Sequence, residues 1–241
     1  MAATRGARTG PRGRWVVLAL LLLGAIALFA GIVELSTQEG GDPKVDVGGV
    51  NDAQRIFGGL RQDGDRLGEP GAPVSIQVFN DVQCGNCSDQ FMETVPALVD
   101  ELVRPDRAKL LYRHYGFGSN PVELGFVAAE AAAEQGYGWQ YAYLFFASQD
   151  EAERVGVGQD FLESLAASIG ELDVEQWTKD FEQAREPGSP ISEKLQRRDE
   201  LARDLGLRAA PSVIVTGPEG TEVLQDSPGL EEILAAVDQV S

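Results

Sequence analysis

Hydrophobic positions along this chain repeat with two different periods. Val74, Ile76 and Val78 alternate with Ser75 and Gln77, the period of a strand with one buried face. The turn over residues 80–83 follows. From about residue 84 to 103 the spacing becomes helical, with Phe91, Val95, Leu98, Val99 and Leu102 on one face. Pro96 lies inside that stretch and predicts a kink or a break. Residues 108–115 read as a second strand. Residues 122–135 are alanine-rich and strongly helix-forming, and residues 138–148 form a short aromatic helix. Helical spacing continues over residues 160–169 and 174–184, and the Pro/Gly/Ser break at 186–190 ends it. A long amphipathic helix is predicted over residues 192–205, stopping at Gly206. Residues 211–215 and 221–224 are strands joined by the turn Gly217-Pro218-Glu219-Gly220, and residues 228–240 close the chain as a helix. The order is strand–helix–strand, a helical insert, then helix–strand–strand–helix. It predicts an α/β layer with a small mixed sheet.

The N-terminal part follows a different pattern. Residues 15–33 carry no charge, and at about 1.5 Å per residue they reach across most of the roughly 30 Å bilayer core. Arg5, Arg8, Arg12 and Arg14 precede this run, and the first acidic residue is Glu34. The positive-inside bias therefore predicts a cytoplasmic basic N-terminus (1–14), a transmembrane helix (15–33) and an exported remainder. Ala25-Ile26-Ala27 has the small-x-small form of a signal-peptide cleavage site, but the apolar run continues beyond it, which favours an uncleaved anchor. Residues 34–54 read as a polar linker. Residues 55–73 are turn-rich, and Ile56, Phe57, Leu60 and Leu67 anchor them along the domain that fills residues 55–241.

All 38 acidic residues follow the anchor, against 16 of the 20 basic ones. This surface lacks the clustered Lys and Arg needed to read phosphates, so no nucleic-acid partner is expected.

Chemistry concentrates at Cys84-Gly85-Asn86-Cys87, which holds both cysteines of the chain. Amides at a helix N-terminus favour the thiolate of the first sulfur. The second sulfur lies one turn away and can displace a partner captured by the first. Zinc would need four N/S ligands, or three and a water; the chain offers two thiols and His114, so no metal site is expected. A purely structural Cys84–Cys87 bridge would close too short a loop to restrain the unfolded chain much. The residues therefore point to thiol–disulfide exchange, without a cofactor.

Several segments resemble the DsbA-like branch of the thioredoxin fold, in which helices are inserted between two halves. Residues 67–74 resemble the branch's Gly-x-Pro-x-Ala-Pro-Val approach to the first strand, and residues 79–84 resemble its Asp-x-x-Cys strand exit. Phe91 and Pro96 match the aromatic residue and kinking proline of its first helix. Glu134-Gln135-Gly136 with Trp139 and Tyr141 resembles its insert, here at about 120–186. Residues 206–211 fall at its cis-proline loop. The resemblance implies a thioredoxin-like fold with a helical subdomain, Cys84 as attacking and Cys87 as resolving sulfur, and a redox-active disulfide between them. It also implies a cis bond between Ala210 and Pro211 lying against the pair and presenting backbone to an extended substrate. Exported thiol- or disulfide-bearing proteins would be the substrates, and a quinone-linked membrane oxidase the electron acceptor. Two departures stand out. Gly85-Asn86 replaces the usual proline and histidine or aromatic, and Ala210 replaces threonine or valine.

Asp81 either tunes the site or caps the turn, with the cap favoured. His114 is expected to be a packed or surface residue away from the motif. Trp139, Tyr141, Tyr143, Phe145 and Phe146 are read as core of the insert. Alternatives to an oxidase are a reductase or isomerase of the same fold, a copper metallochaperone using the two thiolates, and a non-catalytic binding module with a vestigial disulfide. Copper carriers of this fold add a well-placed histidine or methionine, and here only His114, Met1 and Met92 exist.

Overall fold

The alternation at residues 74–79 becomes the central strand of a sheet. A computed structural model describes residues 45–116, 123–186 and 188–241. The predicted transmembrane helix lies outside the described residues; among those described, no helix is long and apolar enough to cross a membrane.

In chain order the elements are α1 (Val50–Phe57), β1 (Gln62–Asp63), β2 (Arg66–Leu67), β3 (Val74–Asn80), α2 (Gly85–Leu98), a π-helical turn (Val99–Val103) and β4 (Ala108–His114). The insert follows as α3 (Leu124–Ala133), α4 (Gly138–Ala147), α5 (Gln149–Val155), α6 (Gln159–Ala167) and α7 (Val174–Ala184). The chain returns through α8 (Pro190–Asp204), β5 (Ser212–Gly217), β6 (Gly220–Leu224) and α9 (Leu230–Val240). The strands form one six-stranded mixed sheet in the order β1-β2-β4-β3-β5-β6. β3 runs parallel to β4 and antiparallel to β5. Parallel pairing requires a crossover, and α2 supplies it.

Three local expectations change. The linker expected over 34–54 ends earlier, because α1 begins at Val50 and buries Ala53 together with Ile56 and Phe57. Those positions lie at i, i+3 and i+4, so one helical face crosses the boundary drawn at 54/55. The turn-rich segment 55–73 contains a hairpin whose second strand, β2, pairs with β4. Strands of two residues show no readable period. Pro96 stays inside α2, and the helical geometry changes three residues later, at the π turn.

The sheet separates two cores. The larger one joins one sheet face to α2, α9 and the insert; the smaller one is Phe79, Tyr115, Ala202, Leu207 and Ile214 on the other face. In the insert the aromatic helix α4 is buried as expected, from Trp139 through Phe146. Tyr141 stacks on Trp177, and Trp177 on Phe181, with ring centroids 5.9 and 5.1 Å apart. The Tyr141 hydroxyl donates to the Leu162 carbonyl at 2.9 Å, so the buried phenol keeps a partner. Phe91 of α2 packs against Phe146 and Trp139 at 4.7 and 6.0 Å, which ties the cysteine-bearing helix to the insert.

α3 is apolar on all sides and buried from Gly125 to Ala133. A helix of this composition is stable only when enclosed. Its one charge, Glu130, sits in an ion cluster. Arg198 of α8 pairs with both Glu130 and Asp65, and Asp65 also pairs with Arg113. Lys194 Nζ lies 2.8 Å from Glu130 Oε2, and His114 Nε2 lies 3.3 Å from Oε1. The cluster joins the insert to β4, to α8 and to the β1–β2 turn.

Candidate active site

β3 ends at Asn80, and a turn delivers Cys84 to the N-cap of α2. Cys84 has extended backbone angles (φ −94°, ψ 123°), and its carbonyl accepts the first helical bond from the Ser88 N–H at 3.0 Å. Gly85 and Asn86 are exposed, Cys84 is half-buried, and Cys87 is fully enclosed. The two sulfurs are not bonded to each other. Burial pushes the Cys87 thiol well up, and the neighbouring Cys84 adds to the effect; the Asp81 N–H, donating to Cys87 Sγ at 3.5 Å, opposes it. The pair is therefore unequal. One sulfur is reachable, while the other is held as a neutral thiol behind it.

Asp81 caps the turn: its Oδ1 accepts from the Gln83 N–H at 2.9 Å. Burial raises its carboxyl and that bond opposes the rise. Asp81 thus meets Cys87 through its backbone while its side chain braces the turn.

Ala210 and Pro211 are joined by a cis peptide, as the resemblance implied. The antiparallel register pairs Phe79 with Ser212, which places Pro211 beside the end of β3 where the motif emerges. Pro211 is buried; its carbonyl accepts from the Ser227 N–H at 3.2 Å. Sheet topology thus brings the two segments, more than a hundred residues apart, to one end of the sheet.

His114 ends β4 in register with Asn80, at the same end of the sheet as the motif rather than away from it. It is nonetheless packed, not turned to the thiols. Its ring lies 4.5 Å from Tyr112 and 5.3 Å from Phe126, and its Nε2 faces Glu130. Burial lowers its pKa and so favours the neutral imidazole, even beside Glu130.

Gln149, the first residue of α5, was not singled out from the sequence. Its Nε2 donates to the carbonyls of Val82 and Cys84, at 2.8 and 3.3 Å. No pattern marks a glutamine at the start of a helix as the partner of a turn 65 residues upstream.

The same turn also leans on α3. Val82 is fully buried, and a Cβ added at Gly125 would meet Val82 Cγ2 at 2.8 Å and Phe145 Cε2 at 3.1 Å. Helix propensity alone favours alanine over glycine by about 1 kcal/mol. Overpacking a filled core costs about 1–3 kcal/mol and outweighs it. Gly125→Ala is expected to lower stability by about 1 kcal/mol in urea melts; a more stable variant would show that the turn yields freely.

Comparison with known proteins agrees with this architecture. Residues 61–239 match the thioredoxin family profile. No curated protein matches the chain at a significant level. BdbD of Bacillus subtilis, in its oxidised form, is similar in structure with a TM-score of 0.61 at 17% identity, covering 75% of this chain and 96% of that one. DsbA2 of Pseudomonas aeruginosa gives 0.56 at 20% identity, over 76% and 97%. The thiol–disulfide exchange protein α-DsbA2 of Wolbachia pipientis gives 0.55 at 16% identity, over 80% and 94%. With a helical insert between β4 and α8, a CxxC at the start of α2 and a cis proline at the start of β5, across from the end of β3, the chain belongs to the thioredoxin family, with the fold of its DsbA-like members.

Proposed function

We propose that this protein is a membrane-anchored, extracytoplasmic thiol–disulfide oxidoreductase that exchanges disulfides with exported proteins through Cys84 and Cys87. The observation that carries the reading is the unequal pair: a half-exposed sulfur at a helix N-cap, an enclosed sulfur one turn behind it, and a cis-proline loop alongside. The Arg-flanked apolar run at 15–33 supports the anchor and the orientation. An exported domain meets an environment in which disulfides persist.

In the oxidising direction, a substrate thiolate attacks Cys84 Sγ. The Cys84–Cys87 bond breaks, and Cys87 leaves with the electron pair and takes up a proton. A second substrate thiolate then attacks the substrate sulfur of the mixed disulfide, and Cys84 leaves as thiolate. The substrate is oxidised by two electrons and the enzyme reduced. A quinone-linked membrane oxidase, implied by family resemblance, would restore the disulfide. Run in reverse, Cys84 attacks a substrate disulfide and Cys87 frees it, which is the reductase or isomerase reading.

Direction depends on potential. Stabilising the attacking thiolate stabilises the reduced protein and makes the disulfide more oxidising. Exposed Asn86 provides a neutral donor where a histidine would bring charge. Equilibration against glutathione buffers is expected to give a potential more negative than the about −120 mV of the strongest DsbA oxidants. A value at that extreme would contradict the assignment of weak thiolate stabilisation. A pair that never exchanges with glutathione would remove the function itself.

A further inference from the structure

The corner between α4 and α5, residues 147–151, touches two segments that are far apart in sequence. On one side Gln149 Nε2 donates to the Val82 and Cys84 carbonyls. On the other side the chain at residues 45–49 lies against the same corner. The Gly48 N–H donates to Ser148 Oγ at 3.0 Å, and the Asp46 N–H donates to Glu151 Oε1 at 2.9 Å. The approach at Gly48 is as close as backbone allows, since a Cβ there would lie 2.4 Å from the Ala147 carbonyl oxygen. Val45 and Val47 pack on the main core.

The two Gln149 bonds fall on the Val82–Gln83 peptide of the turn and on the Cys84–Gly85 peptide at the N-cap. The Cys84 carbonyl has two donors, Ser88 N–H from within α2 and Gln149 from outside it. The orientation of that peptide group sets how the first free amides of α2 lie relative to Cys84 Sγ. A neutral amide suits the task, because it can donate to two carbonyls at once. A carboxylate of the same shape would repel both.

We propose that residues 147–151 form a two-sided clasp in which Gln149 is a positioning residue for Cys84 and the arm at residues 45–49 keeps Gln149 seated. The proposal rests on thiol–disulfide exchange as the function of Cys84. The arm opens the folded unit that runs from Val45 to Ser241, so its seating couples the start of that unit to the reactive sulfur.

The test uses the full chain in detergent, with three variants. Gln149→Met keeps the length and removes the donors, Gln149→Glu keeps the shape and reverses the polarity, and Gly48→Ala forces the arm off the corner. Iodoacetamide alkylation of Cys84 at pH 7 is expected to slow about tenfold in Gln149→Met, as the helix amides lose their alignment on the sulfur, and further in Gln149→Glu. The glutathione equilibrium is expected to shift toward the protein disulfide by a similar factor, because the reduced form has lost stabilisation. Gly48→Ala is expected to move both readouts in the same sense. If Gln149→Met lowers the melting temperature while leaving alkylation rate and redox equilibrium unchanged, Gln149 is structural and the proposal fails. If Gly48→Ala alters stability alone, the arm is no part of the clasp. Failure of the wild-type protein to equilibrate with glutathione would instead overturn the proposed function, and alkylation would still report on the clasp.

Discussion

Cys84→Ser is expected to abolish disulfide exchange, with a fall in rate of about three orders of magnitude or more, since a lost nucleophile is not replaced by its neighbours. Cys87→Ser is expected to behave differently. Cys84 remains half-exposed and can still be captured, but no sulfur stands behind it to release the partner. Mixed disulfides should accumulate, visible as adducts on non-reducing gels and cleared by dithiothreitol. The asymmetry follows from burial, because an enclosed sulfur with a raised pKa can act only on a bond brought to it. Adducts formed on Cys87 in the Cys84→Ser protein would reverse the assignment, as would retained reduction of insulin by that variant.

The second large effect concerns stability. Glu130 is enclosed at the centre of the ion cluster, facing Arg198, Lys194 and His114. Burial alone would raise its carboxyl, but Arg198, His114 and Lys194 together hold it well below the usual carboxylate range. Removing the carboxylate would leave the enclosed Arg198 guanidinium with the half-buried Asp65 alone. Uncompensated buried charge of this kind costs about 3–5 kcal/mol. Glu130→Ala is therefore expected to unfold roughly 10 °C below wild type in thermal melts. The surface pairs Arg55–Asp52 and Lys179–Glu175 are exposed and should contribute almost nothing when broken.

The cluster also sets the acid limb of stability. A carboxyl depressed in the folded state contributes fully above its unfolded pKa, about 4.3 for glutamate, and the contribution is lost as pH falls through the folded value. Asp81 has the opposite sign: its carboxyl is raised by burial, so its ionised form disfavours folding and protonation relieves it first on acidification. Wild-type stability should therefore begin to fall below about pH 4, where glutamate in the unfolded chain takes up a proton while the folded Glu130 carboxyl is still ionised. A Glu130→Gln variant should lose that steep limb in pH-dependent urea melts. An unchanged limb would locate the acid sensitivity elsewhere.

Much of the architecture was readable from local pattern. The alternation at 74–79, the helical spacing from 84 to 103 and the alanine-rich run at 122–135 each depend on neighbours within a few residues, and each forms close to its expected bounds. The cysteine pair was legible because its chemistry needs two sulfurs at one short spacing, and the loop ending at Pro211 through its resemblance to the family's cis-proline loop. The edges of the domain were harder. α1 straddles the boundary drawn at 54/55 because its polar residues outnumber the three that are buried.

What the chain alone determined is therefore the set of elements and the two sulfurs, since both depend on short-range spacing. Only tertiary structure decided which distant residues meet. It put Pro211 across from the end of β3 through strand register, Gln149 onto the Cys84 carbonyl across 65 positions, and Arg198 onto Asp65 across 133. In sequence those polar side chains look like any solvated surface. Enclosure by a packed core removes water from them and leaves each other as partners.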